Sequence, residues 1–140
     1  MNPGTEKSVL VVDEELPIGL IANTAAILGM TLGKRMPELV GSDVTDADKN
    51  THLGIIEIPL PILKASAHKV RELRNQLYLP DFADLTVVDF SDLAQSCKEY
   101  DDFIQKIGNT NADALSYWGI AIVGNKKKVN KLTGSLPLLH

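Results

Sequence analysis

Cysteine, histidine and long apolar runs are all scarce in this sequence, and each scarcity closes off a class of protein. The single cysteine, Cys97, cannot form an internal disulfide, and the first ten residues, MNPGTEKSVL, lack the apolar run of a secretion signal. Both point to a cytoplasmic setting. The longest apolar stretches are broken by Pro59, Pro61, Gly119 or Gly124, short of the roughly 20 residues a membrane-spanning helix needs. No membrane partner is expected. His52, His68 and His140 fall on a loop, a helix and the terminus without the paired spacing of a zinc site. Asp43, Asp46 and Asp48 miss the alternating ligands and central glycine of an EF-hand loop. No metal and no cofactor are expected. Cys97, beside Lys98 and Glu99, reads as a packing residue rather than a nucleophile.

What is present is the composition of a globular protein: 140 residues, 44% hydrophobic and 23% charged. A single domain over 1–140 follows. At this length folding hides roughly two-thirds of the chain's surface, so a covered sheet stands without staples. A net charge of −4 opposes a broadly basic nucleic-acid binder. Lys126, Lys127, Lys128 and Lys131 nevertheless cluster near the C-terminus, reading first as a solvated helix face and second as a nucleic-acid contact.

Residues 8–12, SVLVV, form a run that predicts a buried strand ending at Asp13. Pro17 suits a helix's first turn, and Ile18, Ile21, Ala22, Ala25, Leu28, Gly29 and Leu32 recur at helical spacing, predicting a helix over 17–36. Glycine costs about 1 kcal/mol against alanine inside a helix. Gly19, Gly29 and Gly33 therefore imply close packing, against the sheet first and a second subunit next. Residues 41–52 read as an exposed loop, 53–58 as a second strand, 62–77 as a helix and 85–90 as a third strand. One or two short helices follow over 91–107, a turn over 109–113, a fourth strand over 117–123 and a short helix over 125–132. This alternation predicts an α/β fold, four strands with helices on both faces.

Residues 9–29, VLVVDEELPIGLIANTAAILG, resemble the opening of type 2 peptidyl-tRNA hydrolases, where a VLVV-like strand leads through a leucine and a glycine into an alanine-rich helix. Residues 119–139, GIAIVGNKKKVNKLTGSLPLL, are similar to that family's ending of strand, small-residue turn, short helix and leucine-rich tail. With THLGIIEIPLPIL, LTVVDF and CKEYDDF between them, the whole chain looks closer to an uncharacterised bacterial family, domain of unknown function 2000. The hydrolase resemblance implies a three-layer α/β/α sandwich around a four-stranded mixed sheet, and a homodimer. It does not bring the hydrolase site. That family places a lysine at the start of the first helix, whereas this chain has no lysine or arginine between Lys7 and Lys34 and starts the helix with Gly19 and Leu20. The family's glutamine in that helix is also absent, with Asn23 and Thr24 nearby.

The family's aspartate corresponds to Asp89, the candidate catalytic group, although Phe90, Ser91 and Asp92 replace the glycine, arginine and threonine that follow it there. Ligands in α/β sheets favour the carboxyl-terminal ends of strands. The expected ligand-binding set is Asp13, Gly19, Asn23, Thr24 and Ser91, with Asp13 and Asp89 as alternative helix caps. Asn23 and Thr24 favour caps and turns over helix interiors, so they either face a ligand or bond locally. Tyr117 and Trp118 read as core or interface. Three functions compete: a small-ligand-binding module or divergent enzyme, which is preferred, a divergent peptidyl-tRNA hydrolase gripping tRNA through the lysine cluster, and a dimeric interaction protein.

Overall fold

The computed structural model describes residues 4–140. Strand β1 (Glu6–Asp13) is buried continuously from Ser8 to Asp13, as its unbroken apolar run demands. It is paired on both edges. On one side it runs parallel to β4 (Ile62–Ala65), with Leu10 opposite Ile62 and Asp13 opposite Ala65. On the other it runs antiparallel to β6 (Tyr117–Asn125), which in turn pairs antiparallel with β5 (Thr86–Ser91). The four-stranded order is β4-β1-β6-β5. Three strands therefore end at one rim and β6 begins there.

Helices cover both faces. On one, α1 (Ile18–Arg35) sets Leu28 and Leu32 against Leu10, Phe90, Ala121 and Val123. On the other, α2 (Ala67–Leu77) and α5 (Lys126–Thr133) set Val70, Leu73, Leu77, Val129 and Leu132 against Val9, Val11, Ile120 and Ile122. Alternation along β1 assigns odd residues, Asp13 included, to the α2 face. Side-chain caps start α2 and α5, where Ser66 and Asn125 accept the N–H groups of Lys69 and Lys128, both at 3.1 Å. The expected short-helix region resolves into α3 (Asp92–Ser96) and α4 (Tyr100–Gly108).

The second strand is displaced from its expected position. Residues 53–58 do not join the main sheet; they fold back on 39–41, where Gly41 N–H donates to Ile55 O at 2.9 Å and Glu57 N–H to Leu39 O at 2.8 Å. The place beside β1 is taken by Ile62–Ala65, so the helix expected from 62 starts at Ala67 instead. Pro61 suits a helix start, but the alternate burial of Ile62, Leu63, Lys64 and Ala65 has period two. Ser66 then supplies the helix cap. The leucine-rich tail closes β4's outer edge: Lys64 N–H donates to Pro137 O and Leu139 N–H to Ile62 O, both at 2.9 Å. The loop over 41–52 contains a small hairpin, β2 (Val44–Thr45) with β3 (Thr51–His52). Asp46 organises it by accepting the Asp48 and Asn50 N–H groups and bonding the His52 ring at 2.7 Å. The His52 contact, followed by the backbone bond from Asn50, holds the Asp46 carboxyl below its ordinary value.

The expectation that α1's glycines pack on the sheet is not met. A Cβ added to Gly19, Gly29 or Gly33 would find nothing within 4 Å. The close approach uses a strand glycine instead: a Cβ on Gly119 would lie 2.7 Å from Thr24 Cγ2 and 3.1 Å from Leu28 Cδ1. Thr24 is fully buried there, and its hydroxyl has no hydrogen-bond partner among the described residues. Gly119→Ala is expected to destabilise the fold by about 1–3 kcal/mol through overpacking. Thr24→Ala in the same chain should recover part of that loss, because it removes the nearest clashing atom and an unsatisfied hydroxyl. Urea unfolding of both single variants and the double variant measures the coupling.

Candidate functional site

At the shared rim the buried run of β1 stops at Asp13, which is 7% exposed. Its Oδ1 accepts the Glu15 N–H at 3.0 Å, closing a turn, while Oδ2 accepts no hydrogen bond from the described residues. Asp13 does not cap α1, whose N-cap is Pro17. Beside Asp13, α2 begins. Ser66 takes up the Lys69 N–H, and the Ala67 and His68 N–H groups, in the first turn, have no intrahelical acceptor. Asp13, Ala67, His68 and Arg71 line one cleft of about 300 Å³ together with Ser116, Tyr117 and Trp118.

Arg71 braces the segment that leads into β6. Its guanidinium donates to the Asp113 carbonyl at 2.9 Å and to the Leu115 carbonyl. That occupies two of the five N–H donors an arginine carries. The cleft thus gathers a carboxylate, the first-turn backbone of α2, an imidazole and a guanidinium in one lining. A ligand with a hydrogen-bond donor at one end and an acceptor at the other matches this arrangement.

The other expected site residues are distributed around the sheet. Asn23 Nδ2 donates to Gln95 Oε1 at 3.0 Å, tying α1 to α3 on the face away from Asp13. Thr24 lies beneath α1 against Gly119, and Gly19 is exposed in the first turn of α1. Ser91 is buried and caps α3, its Oγ accepting the Ala94 N–H at 3.3 Å. Asp89 caps nothing: Arg74 Nε donates to its Oδ2 at 2.8 Å, and the Arg74 guanidinium lies 3.9 Å from the centre of the Tyr78 ring. Asp89 also lines a separate cleft of about 530 Å³ between α1, β5 and the α3–α4 segment, together with Ile27, Phe90, Cys97 and Phe103. It does not line the Asp13 cleft.

The lysine cluster lies at the opposite edge of the sheet, because β6 runs away from the rim before α5 starts. Eight steps from Tyr117 to Asn125 at about 3.3 Å each place it roughly 26 Å from the cleft. Lys128 is committed internally, with Nζ donating to Asp81 O at 2.7 Å and Asp84 Oδ1 at 2.9 Å. This bond holds the Asp84 carboxyl below its ordinary value.

Sequence reasoning passed over His68, Arg71, Tyr117 and Trp118. His68 has no metal-binding partner in its spacing, Arg71 sits in a charge-rich helix, and aromatic residues at a strand start usually pack. The signal they share is position: Ser66 immediately before α2, and the start of β6.

Residues 6–140 match the family described as a protein of unknown function, DUF2000. A solved structure of a protein of unknown function from Agrobacterium tumefaciens strain C58 superposes with a TM-score of 0.87 at 16% identity, covering 97% of this chain and 98% of that one. That likeness is one of fold. No curated protein matches.

Tyr117 gives the cleft wall a measurable signature. Burial first, then its hydrogen bond with Tyr78, pushes its phenol up to about 12. A raised value means that the folded chain holds this proton after the unfolded chain has lost it. Stability from Tyr117 is therefore complete below about pH 10 and declines as pH rises toward 12, by on the order of 2 kcal/mol. Tyr117→Phe is expected to flatten that decline, read by urea unfolding across the alkaline range. It should also remove the highest-titrating phenolate absorbance step.

Proposed function

Because the chain belongs to the DUF2000 family, which carries no assigned reaction, we propose its function from the cleft: it binds a small molecule with a cationic, hydrogen-bond-donating end and an anionic end. The simplest such ligand is a free amino acid. Asp13 Oδ2 takes the donor end, and the first turn of α2 with the spare N–H donors of Arg71 takes the anion. The observation that carries this reading is Asp13 itself, a carboxylate on a residue 7% exposed whose Oδ2 has no hydrogen-bond partner among the described residues while the residue lines a cleft. That oxygen is not enclosed, so water reaches it in the free chain, and a ligand ammonium can take that water's place with a charge-assisted hydrogen bond. The positive end of α2 and the guanidinium then favour the ligand's carboxylate.

On the same reading, the fold is a three-layer sandwich of the type 2 peptidyl-tRNA hydrolase kind with its hydrolytic site repurposed. The order of elements and both chain ends support the fold resemblance. The Arg74–Asp89 ion pair and the distance of roughly 26 Å between lysine cluster and rim favour repurposing over hydrolysis.

Titration with L-alanine, ethylamine and propionate, followed by amide NMR shifts, tests the proposal. L-alanine is expected to move the Asp13, Ala67 and His68 signals, and each one-ended analogue to bind more weakly. Asp13→Asn should weaken L-alanine at least tenfold, about 1.4 kcal/mol, and leave propionate unchanged. Equal binding of propionate and L-alanine, or shifts confined to other residues, would remove Asp13 from the site. Release of tRNA from an N-blocked aminoacyl-tRNA, abolished by Asp89→Ala, would reinstate the hydrolase.

A further inference from the structure

Strand β5 is the last strand of the sheet, and no strand among the described residues pairs with its far edge. The phase of the hydrogen bonding shows which of its backbone groups turn outward. Leu10 N–H donates to Pro61 O and Glu14 N–H to Ala65 O, so the even residues of β1 bond on the β4 side, while Lys126 N–H donates to Thr5 O and sets the odd residues toward β6. Those odd residues lie opposite Ile120, Ile122 and Gly124, which leaves Gly119, Ala121 and Val123 to bond β5. Their partners are Phe90, Val88 and Thr86, so Val87 and Asp89 present both N–H and C=O to the free edge. At Asp89 that edge opens into the cleft of about 530 Å³, which Val88, Asp89 and Phe90 line consecutively. Three successive residues of a strand share one cleft only where the strand is met edge-on, because alternate side chains face opposite sides.

The opposite wall is the α3–α4 segment. Neither helix buries a residue completely, and Tyr100 and Phe103, their ring centroids 5.6 Å apart, line the cleft instead of filling it. The base of this segment is fixed, since Asp92 N–H donates to Ser116 O at 2.9 Å and Ser116 N–H to Asp92 Oδ1 at 3.0 Å. Charge in the lining cancels: Arg74 holds the Asp89 carboxylate, and Lys98 stands beside Glu99. We propose that this cleft is a second ligand site, for a neutral fused-ring lactam, whose adjacent N–H and C=O meet the backbone C=O and N–H of Asp89 while its flat faces lie among Phe90, Tyr100 and Phe103. Aromatic and aliphatic walls select apolar ring faces, the outward backbone pair selects a donor beside an acceptor, and the cancelled charge selects a neutral molecule. An added peptide strand would carry the same donor and acceptor, but it would pair with Val87 as well as Asp89, and Val87 does not line the cleft.

Titration of the native chain with carbostyril, a bicyclic lactam, followed by amide NMR shifts, tests the site. The Asp89 amide is expected to move most, with Phe90 and Tyr100, while Asp13, Ala67 and His68 stay in place. N-methylcarbostyril, which lacks the donor, should bind roughly fivefold more weakly, and quinoline, which lacks both the N–H and the carbonyl, more weakly still. Thr31→Trp, at an exposed position of α1 in the cleft lining, should weaken carbostyril at least tenfold. Met30→Trp, exposed next to it and outside the lining, should leave binding unchanged, with circular dichroism checking that both variants fold. No movement of the Asp89 amide, equal binding of quinoline and carbostyril, or binding indifferent to Thr31→Trp would each overturn the proposal. So would joint movement of Val87 and Asp89 by the peptide acetyl-Val-Thr-Val-Thr-amide in a chain that ignores carbostyril, which would give the edge to a peptide strand.

Discussion

The unbroken burial of β1 from Ser8 to Asp13 is the constraint on which the remaining structure depends. A strand without an exposed face needs hydrogen-bonding partners on both edges and apolar cover on both faces, since unpaired backbone groups are costly away from water. β4 and β6 meet the first requirement; α1 on one side and α2 with α5 on the other meet the second. The polarity of β1 also determines where chemistry can occur. Its buried run must end on a residue that turns the chain toward water, and that residue is Asp13, whose carboxylate begins the turn to Glu15.

Polar groups gather on the α2 side of the rim. The start of α1, where the hydrolase resemblance places a lysine, offers Gly19 and Leu20 and a face without charge. The start of α2 offers a capped helix N-terminus, an imidazole and a guanidinium around a largely buried carboxylate. Asp89, the residue most readily matched to a catalytic aspartate, is tied to Arg74 across the β5–α2 contact. The Arg74 side chain is 13% exposed and that of Asp89 27%, so removing either partner would strand the other in a poorly hydrated position. The pair braces the wall of Tyr117 and Tyr78 rather than opening into the Asp13 cleft.

Most of the fold was legible because its elements carry strong local signals. The apolar run of β1, the helical spacing of α1 after Pro17, the LTVVDF strand and the small-residue turn after β6 all lie within one or two residues of their expected bounds. The exception is the stretch from Leu53 to Ser66. Its apolar residues and its prolines suit a strand, an extended hook or a helix start, and the choice rests on which piece reaches β1's free edge. The site was less legible. Asp13 was identified from its place at a strand end, whereas Asn23 and Thr24, close to it in sequence, belong to a helix on the other face.

The sequence by itself determined the secondary-structure order, the interior character of β1, the missing basic residue at the start of α1 and the segregation of charge at that helix's two ends. These follow from residue type and short-range spacing, which act before any long-range contact forms. Tertiary structure alone decided that β4 begins at Ile62, that Gly119 rather than the helix glycines receives the close contact, and that Asp13 shares a cleft with His68, Arg71 and Tyr117. Each of those outcomes depends on strand register and on which face a helix covers, and a strand's two faces differ by a single residue's shift in register.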